Sequence, residues 1–330
     1  MTPPQAGRTI PFRIDRGPTT GTVAGTGPRG NPAANRAGLA RPSASGPLMR
    51  VDRRPGAGAV ATGAGRPCWR APRLLGRAPL PADPRECPLL PSDARTALED
   101  GLAALGLDDL PAQAVADLEG HLRLLLAWTG AVNLTAIRDP LAAVAAHVLD
   151  SLAAVPLLRA SGVGEFIDLG SGGGYPGLPL AIALPARQAL LVDSIAKKAR
   201  FLATAVTGLG LADRVEVAAV RAESLAADPQ HRERWTAVTA RAVAALPDLV
   251  EVAFPLLAVG GVLVAWKRTG IDDETRRALP ALVALGGGTL EVIETAAPVP
   301  AGHVLVACRK AGRTPAGWPR PPAERARHPW

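Results

Sequence analysis

Apolar positions first recur at helical spacing along the chain, then switch to short runs bounded by turn residues. The periodic stretch through Leu105 predicts a first helix, with Ser92 as its N-cap. Pro111 opens a second, with Val115, Leu118, Leu122, Leu125 and Leu126 on one face, ending near Trp128. After Asn133-Leu134-Thr135, a third is expected from about Pro140 to Leu158. From Glu165 the strand candidates are Glu165–Leu169, Ala189–Asp193, Val215–Ala219, Trp235–Ala240, Gly261–Lys267, Thr289–Thr295 and Val304–Arg309. Helices are expected between them near Pro176–Leu184, Ile195–Gly208, Ala222–Ala227, Leu246–Leu257 and Asp272–Leu285. This alternation predicts a doubly wound α/β sheet, and its last two strands follow each other as a hairpin.

Residues 1–90 break the pattern. They hold 15 Pro and 13 Gly and show no periodicity, the composition of a low-complexity, disordered segment. The expected organisation is an extension over 1–91, a helical cap over 92–160, the α/β domain over 161–310 and a basic tail over 311–330. Composition then changes the meaning of the net charge of +8, because residues 1–90 alone carry 14 Arg against four acids. The folded body is mildly acidic between basic ends. Such ends suit a phosphate-bearing partner, and they equally suit ordinary solvated tails. An organellar transit peptide is argued against by the Pro and Gly density, and a later translation start is a further reading. No apolar run is expected to reach the ~18 residues of a membrane span, and no signal-peptide core is visible. Cys68, Cys87 and Cys308 have neither metal-ligand spacing nor an even number for disulfides. A soluble, cytoplasmic protein without a metal site is expected.

The chemistry centres on the loop Phe166-Ile167-Asp168-Leu169-Gly170-Ser171-Gly172-Gly173-Gly174-Tyr175-Pro176-Gly177, which joins the first α/β strand to its helix. Gly170, Gly172 and Gly174 permit positive φ and close approach of a ligand to the backbone. A tight turn explains such glycines as well. Asp168, at the strand end, would repel a pyrophosphate yet tolerate the amino group and sulfonium of S-adenosylmethionine. Asp193 ends the second strand, where an acid accepts hydrogen bonds from ribose hydroxyls of either cofactor type. Ala222 and Glu223 follow the third strand, where an adenine would lie. Each acid alone could be a helix cap. Together they favour S-adenosylmethionine over NAD and the methyltransferase variant of the Rossmann plan.

Over residues 95–322 the sequence resembles the RsmG (GidB) family of bacterial 16S rRNA guanine-N7 methyltransferases. The resemblance rests on Trp128 with Asn133-Leu134-Thr135, Arg138-Asp139-Pro140, His147 with Leu149-Asp150-Ser151, and the loop Phe166–Gly177. It continues in Leu191-Val192-Asp193-Ser194, Lys197, Lys198, Phe201-Leu202, Arg221-Ala222-Glu223, Ala240-Arg241-Ala242, Trp266-Lys267, Thr314-Pro315 and Trp318-Pro319-Arg320. It implies a class I S-adenosylmethionine-dependent methyltransferase fold with a seven-stranded sheet. It also implies cofactor contacts at Gly170, Tyr175, Ala222, Glu223 and Arg241, and 16S rRNA or an assembling small subunit as partner. Gly173 stands where many relatives have proline, and Arg268-Thr269-Gly270 replaces an immediate glycine after Lys267.

Guanine N7 offers a lone pair and carries no proton, so attack on a sulfonium methyl needs alignment and no general base. His147 and Asp150, three apart on a helix, are the positioning candidates, and a helix-stabilising pair is the other reading of them. Lys197, Lys198 and Arg200 read as a solvated face, and Trp128 as core. Trp318 and Arg320 could stack on RNA or dock on the domain. Competing functions are a methyltransferase for a small molecule or another RNA, an NAD-dependent oxidoreductase and a non-catalytic RNA-binding protein.

Overall fold

Successive strand residues feed two different apolar clusters. Phe166, Leu191, Val217, Val264 and Leu305 belong to one, and Ile167, Leu190, Ala218, Leu263 and Val306 to the other. Side chains alternate across a strand, so runs apolar at every position mark a sheet covered on both faces. The computed structural model describes residues 8–10, 48–49, 79–185 and 188–330.

The strands are β1 (Arg8–Ile10), β2 (Leu48–Met49), β3 (Glu165–Leu169), β4 (Gln188–Val192), β5 (Val215–Ala218), β6 (Trp235–Arg241), β7 (Leu257–Arg268), β8 (Gly288–Glu294) and β9 (His303–Lys310). They stand in the order β1-β8-β9-β7-β6-β3-β4-β5-β2. β3 to β7 are parallel, and β9 lies antiparallel between β7 and β8. The chain enters the middle of the sheet at β3, builds outward through β4 and β5, then returns to place β6 on the other side of β3. Ligands bind beyond the carboxyl ends of strands at such a switch point.

The seven strands expected from residue 165 onward form the body of this sheet. The pattern of residues 1–91 predicts no strand, yet β1 pairs with β8 and β2 with β5 at the two edges. Edge pairing uses backbone groups, so apolar periodicity does not announce it. The rest of residues 1–78, for which disorder is expected, lies outside the described residues.

Order also begins before Ser92. Cys87 and Leu90 are buried, the Trp128 indole N–H donates to the Pro81 carbonyl at 2.7 Å, and Arg123 Nε donates to the Pro88 carbonyl at 2.8 Å. Ser92 is not the N-cap but the first residue of α1 (Ser92–Ala104), whose capping position is Pro91.

Next come α2 (Ala112–Val132), α3 (Pro140–Ala143), a π-wound turn at Val144–Leu149, α4 (Asp150–Leu152) and α5 (Val155–Ala160). These share one apolar cluster with α6 (Gly177–Ala183), α7 (Ala196–Gly208) and the first sheet face. The cap expected over 92–160 is therefore continuous with the domain core. Pro140–Ala160, interrupted by His147 and Asp150, is the one helical stretch among the described residues that is long and apolar enough by composition to cross a membrane. In this fold 56% of its most apolar 18-residue window is buried inside the protein, as in the core helix of a globular domain. The opposite face is covered by α8 (Ala222–Ala227), α9 (Leu246–Ala253) and α10 (Asp272–Ala284). The tail ends in α11 (Pro322–Arg327).

Candidate functional site

Two cavities open beyond the carboxyl ends of β3 to β6 and share Gly170 as a lining residue. The larger, about 550 Å³, is lined by Gly170, Asp193, Ala222 and Glu223, with Val220, Leu249 and Val252 as apolar walls. Tail residues Pro322, Arg325, Ala326 and Pro329 close its far side. The smaller, about 190 Å³, is lined by Gly170, Gly172, Tyr175, Arg241 and His147, together with Thr135 and Lys198.

The loop between β3 and α6 is held from below. Asp168 is fully buried, paired in register with Thr239 across the parallel β3–β6 ladder. Its carboxylate accepts the Thr239 hydroxyl at 2.7 Å and the Gly177 N–H at 3.2 Å. Burial pushes its pKa up to about 6. Asp168 is buried beneath the loop and is not among the residues that line either cavity. It ties the loop to β6 and to the start of α6. Gly174 likewise lines neither cavity: at φ +88° it packs where a Cβ would stand 2.7 Å from His121 Nε2. Gly170, at φ +67°, is a genuine close approach, since a Cβ there would meet Val243 Cγ2 at 2.8 Å.

Asp193 does face the larger cavity. One carboxylate oxygen accepts the Gly172 N–H at 3.0 Å and the other the Ile195 N–H at 2.8 Å. A carboxylate has about four acceptor sites, so two remain for ribose hydroxyls. The cavity's size, its apolar walls and this acid fit an adenosine. At the smaller cavity, the Tyr175 hydroxyl is buried without a hydrogen-bond partner among the described residues. Burial raises its pKa, so it stays a neutral donor available to a polar ligand group.

Arg241, at the end of β6, organises the smaller cavity. Its Nη1 donates to the Asp150 carboxylate and to the Ala146 carbonyl, both at 3.0 Å, while Nη2 faces His147 Nδ1 at 3.4 Å. The side chains of His147 and Asp150 therefore meet through Arg241, while the Asp150 backbone N–H donates to the His147 carbonyl within the turn. The π-wound turn carries His147, and such turns recur at functional sites. Asp150, buried at 1% exposure, also takes a hydrogen bond from His303 Nδ1 at 2.8 Å, and its carbonyl accepts the Trp266 indole N–H at 2.7 Å. Burial, then the Arg241 charge, lowers the His147 pKa to about 4, so this imidazole is neutral at physiological pH.

Several participants were not singled out by sequence reasoning. His303 reaches Asp150 because β9 pairs antiparallel with β7, a register no local pattern reports. His121, fully buried with its pKa lowered to about 3 by burial, joins Nε2 to the Gly173 carbonyl at 2.8 Å and stacks on Tyr175 at 4.3 Å. Lys198, expected on a solvated face, is half-buried at the smaller cavity, whereas Lys197 and Arg200 are exposed. Trp318 and Arg320 are used internally. Arg320 forms a bidentate pair with the buried Glu251, at 2.6 Å from Nη2, and lies over the Trp318 and Trp330 rings at 5.0 and 4.7 Å.

The strand order, with an adenosine-sized cavity beyond β3, β4 and β5, is that of the class I S-adenosylmethionine-dependent methyltransferases. The family model described as GidB, rRNA small subunit methyltransferase G, matches residues 114–297, and the chain belongs to that family. The ribosomal RNA small subunit methyltransferase G of a Roseiflexus species is 44% identical over 205 residues, covering 62% of this chain and 87% of the relative. The protein of that name from Dehalococcoides mccartyi is 39% identical over 221 residues, covering 67% and 93%. The one from Stenotrophomonas maltophilia is 47% identical over 178 residues, covering 54% and 79%.

Proposed function

We propose that this protein methylates N7 of a guanine in 16S ribosomal RNA, naked or within an assembling small subunit, in the cytoplasm. The observation that carries this reading is that Gly170 lines both cavities. A nucleoside fits the larger, and the smaller is a polar chamber without a poised base. S-adenosylmethionine, when bound, supplies an electrophilic methyl on a positively charged sulfur.

The residues divide the remaining work. Asp193, Ala222 and Glu223 hold the adenosine end, and Gly170 lets the ligand cross the loop. Tyr175 and Arg241 border the chamber where the methyl is presented. Transfer of that methyl to the lone pair of guanine N7 would need no side chain to take or give a proton, so the part left to the chain is to hold donor and acceptor in line. A neutral His147 and an Arg241 already matched by Asp150 are suited to hold geometry for such a step.

Calorimetry tests the cofactor half of the proposal. S-adenosylmethionine and S-adenosylhomocysteine should bind and NAD should not. NAD binding with no response to either adenosyl compound would overturn it. Replacing Gly170 with a bulky residue should abolish that binding and leave the melting transition cooperative.

A further inference from the structure

The hydrogen bonds around Thr135 fix the direction of its hydroxyl proton. Thr135 Oγ1 lies 2.7 Å from His147 Nε2 and 3.0 Å from the Ile137 backbone nitrogen. The backbone N–H can only donate, which engages one lone pair. The second contact depends on the His147 tautomer.

Arg241 settles that tautomer. The Ala146 carbonyl, the other group beside this ring, already accepts from Arg241 Nη1 at 3.0 Å. The guanidinium has donors and no acceptor, so the Nδ1 facing Nη2 at 3.4 Å presents a lone pair. A neutral imidazole with a bare Nδ1 carries its proton on Nε2, and that N–H donates to Thr135. Arg241 is in turn held by Asp150, which His303 also contacts. Arg241 thus donates to Asp150 on one side and to His147 on the other, His147 donates to Thr135, and Oγ1 is left with both lone pairs engaged. Its own proton remains as a donor, and Thr135 lines the smaller cavity.

We infer that Thr135 is a specificity-determining residue that donates its hydroxyl proton to O6 of the target base, selecting guanine. The inference rests on the proposed N7 reaction. At that edge guanine presents two acceptors, N7 and O6, whereas adenine presents N7 and an amino donor. The methyl takes N7, so a directional donor must address O6. An adenine would set its amino group against the Thr135 proton, donor against donor.

The test compares small-subunit rRNA fragments carrying guanosine or 2-aminopurine riboside at the mapped position. The second base keeps N7 and lacks O6. The wild-type full chain should show a kcat/KM roughly tenfold higher on guanosine, the size of one hydrogen bond. Thr135→Val should lose about that factor on guanosine and show no preference between the two bases, whereas Thr135→Ser should keep the preference. S-adenosylhomocysteine binding and thermal melting establish that each variant is folded. Equal wild-type rates on both RNAs would overturn the inference without reference to any variant. So would a Thr135→Val enzyme that keeps the full guanosine preference. If the wild type forms no 7-methylguanosine on the guanosine RNA, the N7 reading itself fails and the inference goes with it.

Discussion

Arg325, on the last helix, pairs its guanidinium with the Glu223 carboxylate across the mouth of the larger cavity. The two are 102 residues apart in the chain, and the pair binds the tail to the strand end where the adenosine fits. The tail is anchored beyond that point by Arg320 and Trp330 on Glu251. Removing the Arg325 pair should therefore loosen the cover without detaching the tail. Arg325→Ala should release S-adenosylhomocysteine about two- to fivefold faster, the effect of one partly exposed ion pair. Stopped-flow displacement reads this directly. An unchanged release rate would mean that α11 does not retain the ligand.

The pH dependence of the reaction should not follow His147. Its pKa is lowered to about 4, so it carries no proton to lose between pH 6 and 9. His147→Ala should lower kcat/KM through poorer positioning and leave the shape of the pH–rate profile unchanged. A limb near pH 6 to 7 in the wild type that disappears in the variant would instead identify an essential base.

Asp168 makes a stability prediction of definite sign. Its folded pKa is raised from 3.8 to about 6 by burial, so folding favours its protonated form. That contribution is present below about pH 4, is lost as pH rises to about 6, and amounts to roughly 3 kcal/mol at most. Denaturation of Asp168→Asn should lack this slope. The difference between variant and wild-type stability should change across pH 4 to 6 and stay level above it. Parallel profiles would place the Asp168 titration elsewhere.

The strands from residue 165 onward were legible because both sheet faces are buried, so each strand reads as an apolar run between turns. The helices were legible through their periodicity. The site was legible in part, and the boundary is physical. Asp193 and Gly170 sit where strand ends and a glycine loop must place them. Asp168 carries the same local signal as Asp193, yet its side chain turns under the loop to Thr239, a choice made by the β3–β6 register. His303 and Arg325 reach the site through partners 153 and 102 residues away, and no pattern local to them points there. The edge strands β1 and β2 depend on backbone pairing, and the segment before Ser92 is held by a few long-range contacts to α2.

That segment gives a truncation prediction. A chain beginning at Pro91 loses buried Cys87 and Leu90 and the bonds from Trp128 and Arg123 to residues 81–88. It should be less stable by about 3–5 kcal/mol, several degrees in Tm. A chain beginning at Pro79 keeps all of these contacts and should melt well above it. Equal melting temperatures for the two would show that residues 79–90 contribute nothing to the core.

The central claim is tested most directly on the RNA itself. Small-subunit rRNA from cells with and without the gene should be digested and mapped by mass spectrometry. One guanosine should carry a methyl group at N7 with the gene and lack it without, and the purified protein with S-adenosylmethionine should restore it. Identical methylation in the two strains, or a lost methyl at any atom other than guanine N7, would contradict the account.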